Sequence, residues 1–581
     1  MAVFSKVLVA NRGEIAIRVF RTLRELGIGT VAVYSDPDRN SAHVRYADEA
    51  YALDGYLNQA PLLEAARRAG AEAIHPGYGF LAENAVFARA CVDAGIVWIG
   101  PPPEAIEAMG SKIEARERMR AAGVPIVPGM TEPVESAEEV RRLGDELGWP
   151  IAIKASAGGG GKGLKVVRSA GEAERALESA QREGEAYFSD SAVYVERYLE
   201  DPRHVEVQVL ADSHGNVIHL GERDCTIQRR HQKLVEETPS PAVDDALRER
   251  IGAIAVDAAR AVGYQSAGTI EGLLSREGEY FFLEMNTRIQ VEHTVTEMVT
   301  GLDLIREQVL VAAGEPLSLR QEDVRLNGHA IECRINAEDV SNGFLPAPGT
   351  IAAYHEPSGP GVRIDSGVVA GSEISPLYDP MIAKLIVHGV DREHARRRML
   401  RALDELVVDG VKTLVCFHKA LLTHPCFIEG ATCHGLVESE LMAARAAELE
   451  NGTRGSDPGA GRGLTPAARF VEVDGKRFEV RVLRPEPPYA ELARRRRERE
   501  RARAGGGAGK DAVVSPMQGT VLAVEVADGD DVQAGEVICI VEAMKMENEV
   551  HAHRAGRVSD LSVAPGQPVK TGQVICVVSG D

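Results

Sequence analysis

Residues 519 to 541, GTVLAVEVADGDDVQAGEVICIV, recur 37 positions later as residues 556 to 578, GRVSDLSVAPGQPVKTGQVICVV, with 11 of 23 positions identical. Copies this short bury a core only by packing on each other, so the pair is expected to fold as one unit. Each copy alternates Val and Ile at period 2 and is punctuated by glycines, Gly529 and Gly535 in the first and Gly566 and Gly572 in the second. That pattern predicts short strands closing a small flattened β-barrel, with a tight hairpin between the halves. The junction reads Glu542-Ala543-Met544-Lys545-Met546, which sets Lys545 at the hairpin's tip. Turns and a shared core account for the repeated Gly, Val and Cys positions. They do not account for two apolar side chains flanking a projecting lysine, because folding gains nothing from exposing them.

The Met-Lys-Met junction resembles the biotin acceptor motif of biotinyl carrier domains. The resemblance implies covalent biotin on Lys545, attached by a biotin protein ligase. Lipoyl carriers resemble it in fold but usually have Asp before the lysine and Ala after it, where this chain has Met on both sides.

The chain has 581 residues, too many for one core, and domains of roughly 100 to 200 residues suggest several of them. A formal charge of −21 and a pI near 5.3 argue against a nucleic-acid partner, which selects a basic face. The one basic block is residues 494 to 503. No apolar run reaches the roughly 18 residues of a membrane span, and MAVFSKVLVANRGE meets polar residues too early for a signal peptide, so a cytoplasmic enzyme is expected. The eight cysteines include no C-x-x-C pair and are expected to be reduced, with Cys539 and Cys576 as small core residues at equivalent repeat positions.

KVLVA at 6 to 10 reads as a buried strand, 14 to 26 as an amphipathic helix and 30 to 34 as the next strand, the opening β-α-β unit of a doubly wound domain reaching about residue 110. The first turn carries Asn11-Arg12-Gly13 in place of G-x-G-x-x-G, which weakens a dinucleotide reading. Alternating strands and helices continue to about 445, followed by the Gly/Pro/Ser/Thr-rich break at 450 to 466. Residues 469 to 482 predict a hairpin turning at Asp474-Gly475, the core of a linker and short docking module over 446 to 492. Residues 493 to 510 read as a helical, then glycine-rich tether to a carrier domain over 511 to 581.

Between strand-like PIAIKAS (150 to 156) and LKVV (164 to 167) lie Gly158, Gly159, Gly160 and Gly161, then Lys162 and Gly163. Glycines let backbone N–H groups approach a polyphosphate, and because a strand follows instead of a helix, the loop reads as a hairpin lid and not as a Walker A motif. Lys112 and Lys154 could place positive charge on phosphates, although an isolated lysine is usually a solvated charge. GTIEGLL (268 to 274) and YFFLEMN (280 to 286) read as paired strands, each with one acid in an apolar run. Burying Glu271 and Glu284 unpaired would be costly; Mg²⁺ (or Mn²⁺), with Asn286 adding an oxygen, removes that objection, and salt-bridged strand acids are the structural alternative.

NRGEIAIRV (11 to 19), HPGYGFLAEN (75 to 84), KASAGGGGKG (154 to 163), ERDCTIQRRHQK (222 to 233), EMNTRIQVEH (284 to 293) and ECRINAED (332 to 339) together resemble biotin carboxylase, in order, over about residues 1 to 445. The resemblance implies an ATP-grasp enzyme: an N-terminal domain over 1 to 110, an ATP-grasp domain over 111 to 330 with a lid at about 130 to 205, and an α+β C-terminal domain over 331 to 445. It further implies Lys112, Lys154 and His204 near ATP, Glu271, Glu284 and Asn286 at the metals, and Gln228, His231 and Lys233 around phosphate transfer. Arg288, Gln290 and the Val291 backbone would cradle bicarbonate, Glu292 would take its proton, and Arg334 would stabilise the biotin enolate.

Moving CO₂ from carboxybiotin to an acceptor needs a carboxyltransferase, and the 65 residues between 446 and 511 cannot hold one. The plan therefore resembles the α subunit of an acyl-CoA carboxylase, a hetero-oligomer whose carboxyltransferase β subunit is a separate polypeptide; pyruvate carboxylase is excluded because its barrel is absent. A carrier without enzymatic activity and a carboxylase for a non-CoA acceptor such as urea or 2-oxoglutarate are the alternatives.

Overall fold

The computed structural model of the chain describes residues 3–130, 132–155, 164–188, 192–230, 232–454, 464–473, 476–485, 511–543 and 546–580. It divides into two compact units, Met1–Ala337 with Gly349–Ile374 and Met381–Met442, and Glu338–Pro348 with Ser375–Pro380 and Ala443–Asp581.

The first unit opens with strand β1 (Lys6–Val9), helix α1 (Gly13–Glu25) and strands β2 (Gly29–Tyr34), β3 (Glu49–Ala52), β4 (Ala73–His75) and β5 (Val97–Trp98). Their sheet is parallel in the order β3-β2-β1-β4-β5. β1, β2 and β4 are apolar runs buried on both faces, as helix-covered parallel strands must be. Strand order reverses between β1 and β4, the crevice where such sheets bind ligands. Where a dinucleotide fold carries glycines, Asn11 ties two loops together: its Nδ2 donates to the carbonyls of Pro76 at 2.8 Å and Tyr78 at 2.7 Å. Gly77, at φ +63, lies so close that a Cβ would sit 2.9 Å from that nitrogen.

A small lid module follows. Strands β6 (Ile151–Ala155), β7 (Leu164–Val167) and β8 (Val193–Arg197) pair antiparallel in the order β7-β6-β8. Val140 and Leu143 from helix Ala137–Leu147, and Leu177 and Ala180 from helix Ala173–Phe188, close its core. Gly158, Gly159, Gly160 and Gly161 lie outside the described residues.

The main sheet is antiparallel and eight-stranded. It uses β9 (Arg203–Ala211), β10 (Val217–Arg229), β11 (Gln232–Thr238), β12 (Ser266–Leu274), β13 (Tyr280–Asn286) and β14 (His329–Asn336) in the order β13-β12-β9-β10-β11-β14, followed by Met381–Gly389 and Val362–Ser366. Because β11 pairs with β14, one sheet runs across residue 330, where the sequence reading placed a domain boundary. The helix Glu440–Arg454 likewise continues past 445.

In the second unit, Leu464–Val473 and Lys476–Pro485 form an antiparallel hairpin, while the segment 493 to 510 lies outside the described residues. The carrier is a pair of four-stranded sheets. Repeat-equivalent residues fill its core: Val521 and Val558, Val532 and Val569, Ile538 and Ile575, Cys539 and Cys576. Matched glycines take left-handed backbone, Gly529 at φ +98 and Gly566 at φ +83, a conformation open to glycine at little cost. The two short strands are exchanged, since Asp531–Val532 of the first copy pairs with Gly556–Ser559 and Pro568–Val569 of the second pairs with Gly519–Val524. Ala543 is registered opposite Met546, and Lys545 lies outside the described residues.

The expectation of reduced thiols fails at one pair. Cys426 and Cys433 form a disulfide across 5.7 Å between Cα atoms, a contact that sequence spacing did not signal, while Cys539 and Cys576 are free and buried. Among the described residues no helix is long and apolar enough to cross a membrane.

Candidate active site

Antiparallel strands put side chains from distant sequence positions on one face of a sheet. Lys233 on β11 donates to Glu206 Oε2 on β9 at 2.5 Å, to Glu271 Oε1 on β12 at 2.9 Å and to Glu292 Oε1 at 2.7 Å, so each of its three donors meets a carboxylate. Burial opposes that ammonium, but the three acids outweigh it and hold Lys233 well above the usual lysine range. Arg334 on β14 donates from Nε to Glu236 Oε1 at 2.6 Å and from Nη2 to Glu292 Oε2 at 2.9 Å. Glu292 is only 2% exposed. Burial favours its neutral form, yet Lys233, Arg334 and Arg223 together hold it far below the carboxylate range. Glu236 shows the opposite balance: burial wins over Arg334 and pushes it up to about 8.

Arg223 is the hub beneath this cluster. Its buried guanidinium donates to Glu206 at 2.6 Å, Gln208 at 2.7 Å, Thr296 at 3.0 Å, Thr269 at 3.1 Å and Gln290 at 2.7 Å. Gln290 in turn donates to Glu271 Oε1 at 2.5 Å. Arg288, from the same turn, donates to Glu83 at 2.9 Å and Asn286 Oδ1 at 2.7 Å, and Glu83 also accepts from the Thr287 N–H at 3.0 Å. The Val291 carbonyl accepts from Lys384 at 2.8 Å. The structure therefore gathers Lys233, Glu292, Arg334, Glu271, Asn286, Arg288 and Gln290 into one hydrogen-bonded network, with His204 Nε2 2.7 Å from Glu271 Oε2.

Other expected residues stand apart. Lys154 pairs with Glu196, which Arg116 also reaches at 3.1 Å. Gln228 spends its amide on the Cys225 carbonyl at 2.8 Å. Lys112 begins the helix Lys112–Ala121, its side chain outside the described residues, as is the whole of His231. Glu284 corrects a premise: it faces Glu271 across the ladder, but only Glu271 is buried and Glu284 is exposed. The strands slip by one residue just beyond that pair, a bulge that period-2 reading cannot see. The salt-bridged alternative is also present in part, because Glu271 holds Lys233 and His204. Sequence reasoning missed Arg223, Glu206, Glu236, Glu83 and Glu196. Of these, Arg223 lay in the quoted motif ERDCTIQRRHQK, where it passed for one charge among many, and Glu83 lay in the quoted HPGYGFLAEN without being singled out.

Glu271 and Glu284 on paired strands and the Asn286 amide offer oxygen ligands, the type a hard divalent cation takes, with Glu284 open to solvent; Glu271 Oε1 is engaged by Lys233, Gln290 and Asn286, and Asn286 Oδ1 by Arg288.

A doubly wound domain, a small sheet bordering a glycine-rich segment, and an acid-bearing sheet with its lysines define an ATP-grasp ligase. Family models agree along the chain: Biotin carboxylase, N-terminal domain, at residues 3–106; Carbamoyl-phosphate synthase L chain, ATP binding domain, at 111–320; Biotin carboxylase C-terminal domain at 332–439; Biotin-requiring enzyme at 511–578. The chain is 46% identical over 575 residues to the biotin-dependent acyl-coenzyme A carboxylase alpha3 subunit of Mycobacterium leprae, covering 96% of this chain and 95% of that one. It is 55% identical over 433 residues to a pyruvate carboxylase subunit of Methanothermobacter thermautotrophicus, covering 74% and 88%. Among solved structures, the biotin carboxylase domain of Hydrogenobacter thermophilus 2-oxoglutarate carboxylase, in complex with MgADP, ADP and bicarbonate, superposes with a TM-score of 0.70 at 49% identity, covering 75% of this chain and 99% of that one. The chain belongs to the biotin carboxylase family and carries a biotinyl carrier domain at its carboxyl end.

Proposed function

We propose that this protein is the α subunit of an acyl-CoA carboxylase, carboxylating biotin on its own Lys545 for a carboxyltransferase on a separate β subunit. One observation carries the chemistry: a single buried carboxylate, Glu292, shared between Lys233 and Arg334. In this reading Arg288 grips bicarbonate with its planar fork, aided by Gln290 and the Val291 backbone. Glu292 removes the bicarbonate proton as an oxygen attacks the γ-phosphorus of ATP and the bond to ADP breaks, giving carboxyphosphate. A carboxylate held so far below its usual range is a poor base. Its basicity recovers as Lys233 turns to phosphate and Arg334 to biotin, and that ties proton removal to a filled site. Carboxyphosphate then splits to CO₂ and phosphate, the phosphate takes the N1 proton of biotin, and N1 attacks CO₂ while Arg334 stabilises the ureido oxyanion. Glu271, Glu284 and Asn286 would hold Mg²⁺, which supplies charge neutralisation at the nucleotide phosphates.

The acceptor assignment rests on the match to the mycobacterial α subunit, which runs through linker and carrier alike. A keto-acid acceptor is the second reading, favoured by the pyruvate and 2-oxoglutarate carboxylase relatives. The first of those is itself a separate subunit, so the lack of a fused barrel does not dismiss pyruvate as the sequence reading had it. Bicarbonate-dependent ADP release with free biotin tests the carboxylase. Purified biotinylated chain, mixed with its co-purified transferase and ¹⁴C-bicarbonate, tests the acceptor: label fixed into malonyl- or methylmalonyl-CoA is expected, and label fixed only into a keto acid would replace that reading.

A further inference from the structure

Lys384, on the strand Met381–Gly389, has no exposed surface at all. Its Nζ donates to the Val291 carbonyl at 2.8 Å and lies 5.8 Å from the centre of the Tyr78 ring. Its nearest acid is Glu14 at the start of α1, whose Oε2 is 3.5 Å away, near enough for charge attraction yet with neither Glu14 oxygen hydrogen-bonded. An ammonium sealed in this way opposes folding unless something compensates it, and an apolar side chain would fill the site more cheaply. The fold keeps the charge and spends its one hydrogen bond on a backbone carbonyl in the turn that carries Arg288, Gln290 and Glu292.

Peptide planarity gives that bond its consequence. In a trans peptide the carbonyl and the next N–H point in opposite directions, so pinning the Val291 carbonyl fixes the direction of the Glu292 N–H and of the Cα that bears the Glu292 side chain. The preceding peptide is pinned as well, because the Gln290 carbonyl accepts from the His293 N–H at 3.3 Å and lies 2.7 Å from His293 Nδ1. Arg223 holds the Gln290 side chain from the sheet side at 2.7 Å. Lys384 also sits opposite Arg334 in the ladder between its strand and β14, so the lysine that pins the turn and the arginine that meets Glu292 share one register position.

We propose that Lys384 is a positioning residue for the bicarbonate step: by holding the Val291 carbonyl it sets the Val291–Glu292 peptide and so the aim of Glu292, with Glu14 of the amino-terminal domain as its counter-charge. The inference rests on the bicarbonate role proposed above for this turn. Losing one donor to a pinned carbonyl should weaken geometry in a single step of the reaction and leave nucleotide binding alone.

Bicarbonate-dependent ATP cleavage by the full chain with free biotin tests it. Lys384→Met alone strands Glu14, so the informative variant is Lys384→Met combined with Glu14→Gln, which removes the lysine together with its nearest acid. The expected result is a rise in KM for bicarbonate of about 10-fold or more with KM for ATP within about 2-fold of the parent, as for a lost hydrogen bond from a charged donor. Glu14→Gln alone keeps the bond to Val291 and should leave the KM for bicarbonate within about 2-fold. An unchanged KM for bicarbonate in a folded double variant, or an equal rise in Glu14→Gln alone, would overturn the proposal by reducing Lys384 to half of a structural ion pair. Failure of the parent chain itself to show bicarbonate-dependent cleavage would instead remove the underlying reading.

Discussion

Lys233 and Arg334 grip opposite oxygens of one carboxylate, Nζ to Oε1 of Glu292 at 2.7 Å and Nη2 to Oε2 at 2.9 Å. Each cation also keeps acids of its own, Glu206 and Glu271 for Lys233 and Glu236 for Arg334. Removing the central charge therefore strands neither.

Glu292→Gln should fold with nearly the parental melting temperature while bicarbonate-dependent ATP cleavage falls by roughly 100-fold or more, the scale of a lost general base. Steady-state ADP release and a thermal melt on the same preparation check both halves. Near-normal turnover would mean that the base lies elsewhere.

Arg334→Ala should lower free-biotin carboxylation by about 100-fold and also destabilise the chain, because Glu236 is fully buried and loses its partner. Adding Glu236→Gln should restore the melting temperature without restoring carboxylation. Recovery of activity in the double variant would show that Arg334 serves the fold alone.

Lys545 is expected to be the sole biotin acceptor. The intact mass of chain co-expressed with a biotin protein ligase should exceed that of the unmodified chain by one biotin, and Lys545→Arg should abolish the increment. A biotin label persisting in that variant would point to another lysine.

Acid should destabilise the first unit through its buried histidines. Burial pushes His43, His75 and His418 down to about 4, so the folded chain resists protons that the unfolded chain takes up below about 6.5. Stability present above pH 6.5 is thus lost as the pH falls toward 4, by up to about 3 kcal/mol per histidine. His75→Asn retains an acceptor for the Gly77 N–H that His75 Nδ1 binds at 3.0 Å. Its melting temperature should drop less than the parent's between pH 7 and pH 5, and parallel pH curves would refute the assignment.

Sequence alone revealed the carrier because a repeat is local: both copies and their junction fall within 60 residues, 519 to 578. The ligase motifs were legible for the same reason, each being a short run with several chemical groups. What escaped was long-range pairing. Glu236 meets Arg334 across 98 positions, Gln290 meets Arg223 across 67 and Glu83 meets Arg288 across 205, and each of these residues, taken singly, is indistinguishable from a solvated polar group. Glu284 was misjudged because burial was inferred from its place in an apolar run, whereas the strands slip beside its partner Glu271 and leave Glu284 exposed. Cys426 and Cys433 form a bond through the path of the chain between them, which residue counting does not supply.

The exchanged strands of the carrier make each half of it depend on the other. Asp531–Val532 finishes the sheet built mainly from the second copy, and Pro568–Val569 finishes the sheet built mainly from the first. Neither half is a barrel by itself, and an isolated few-stranded fragment is marginal in water. During synthesis, the strand Gly519–Val524 emerges long before its partner Pro568–Val569, so the first copy's sheet is completed only after residue 569 has been made.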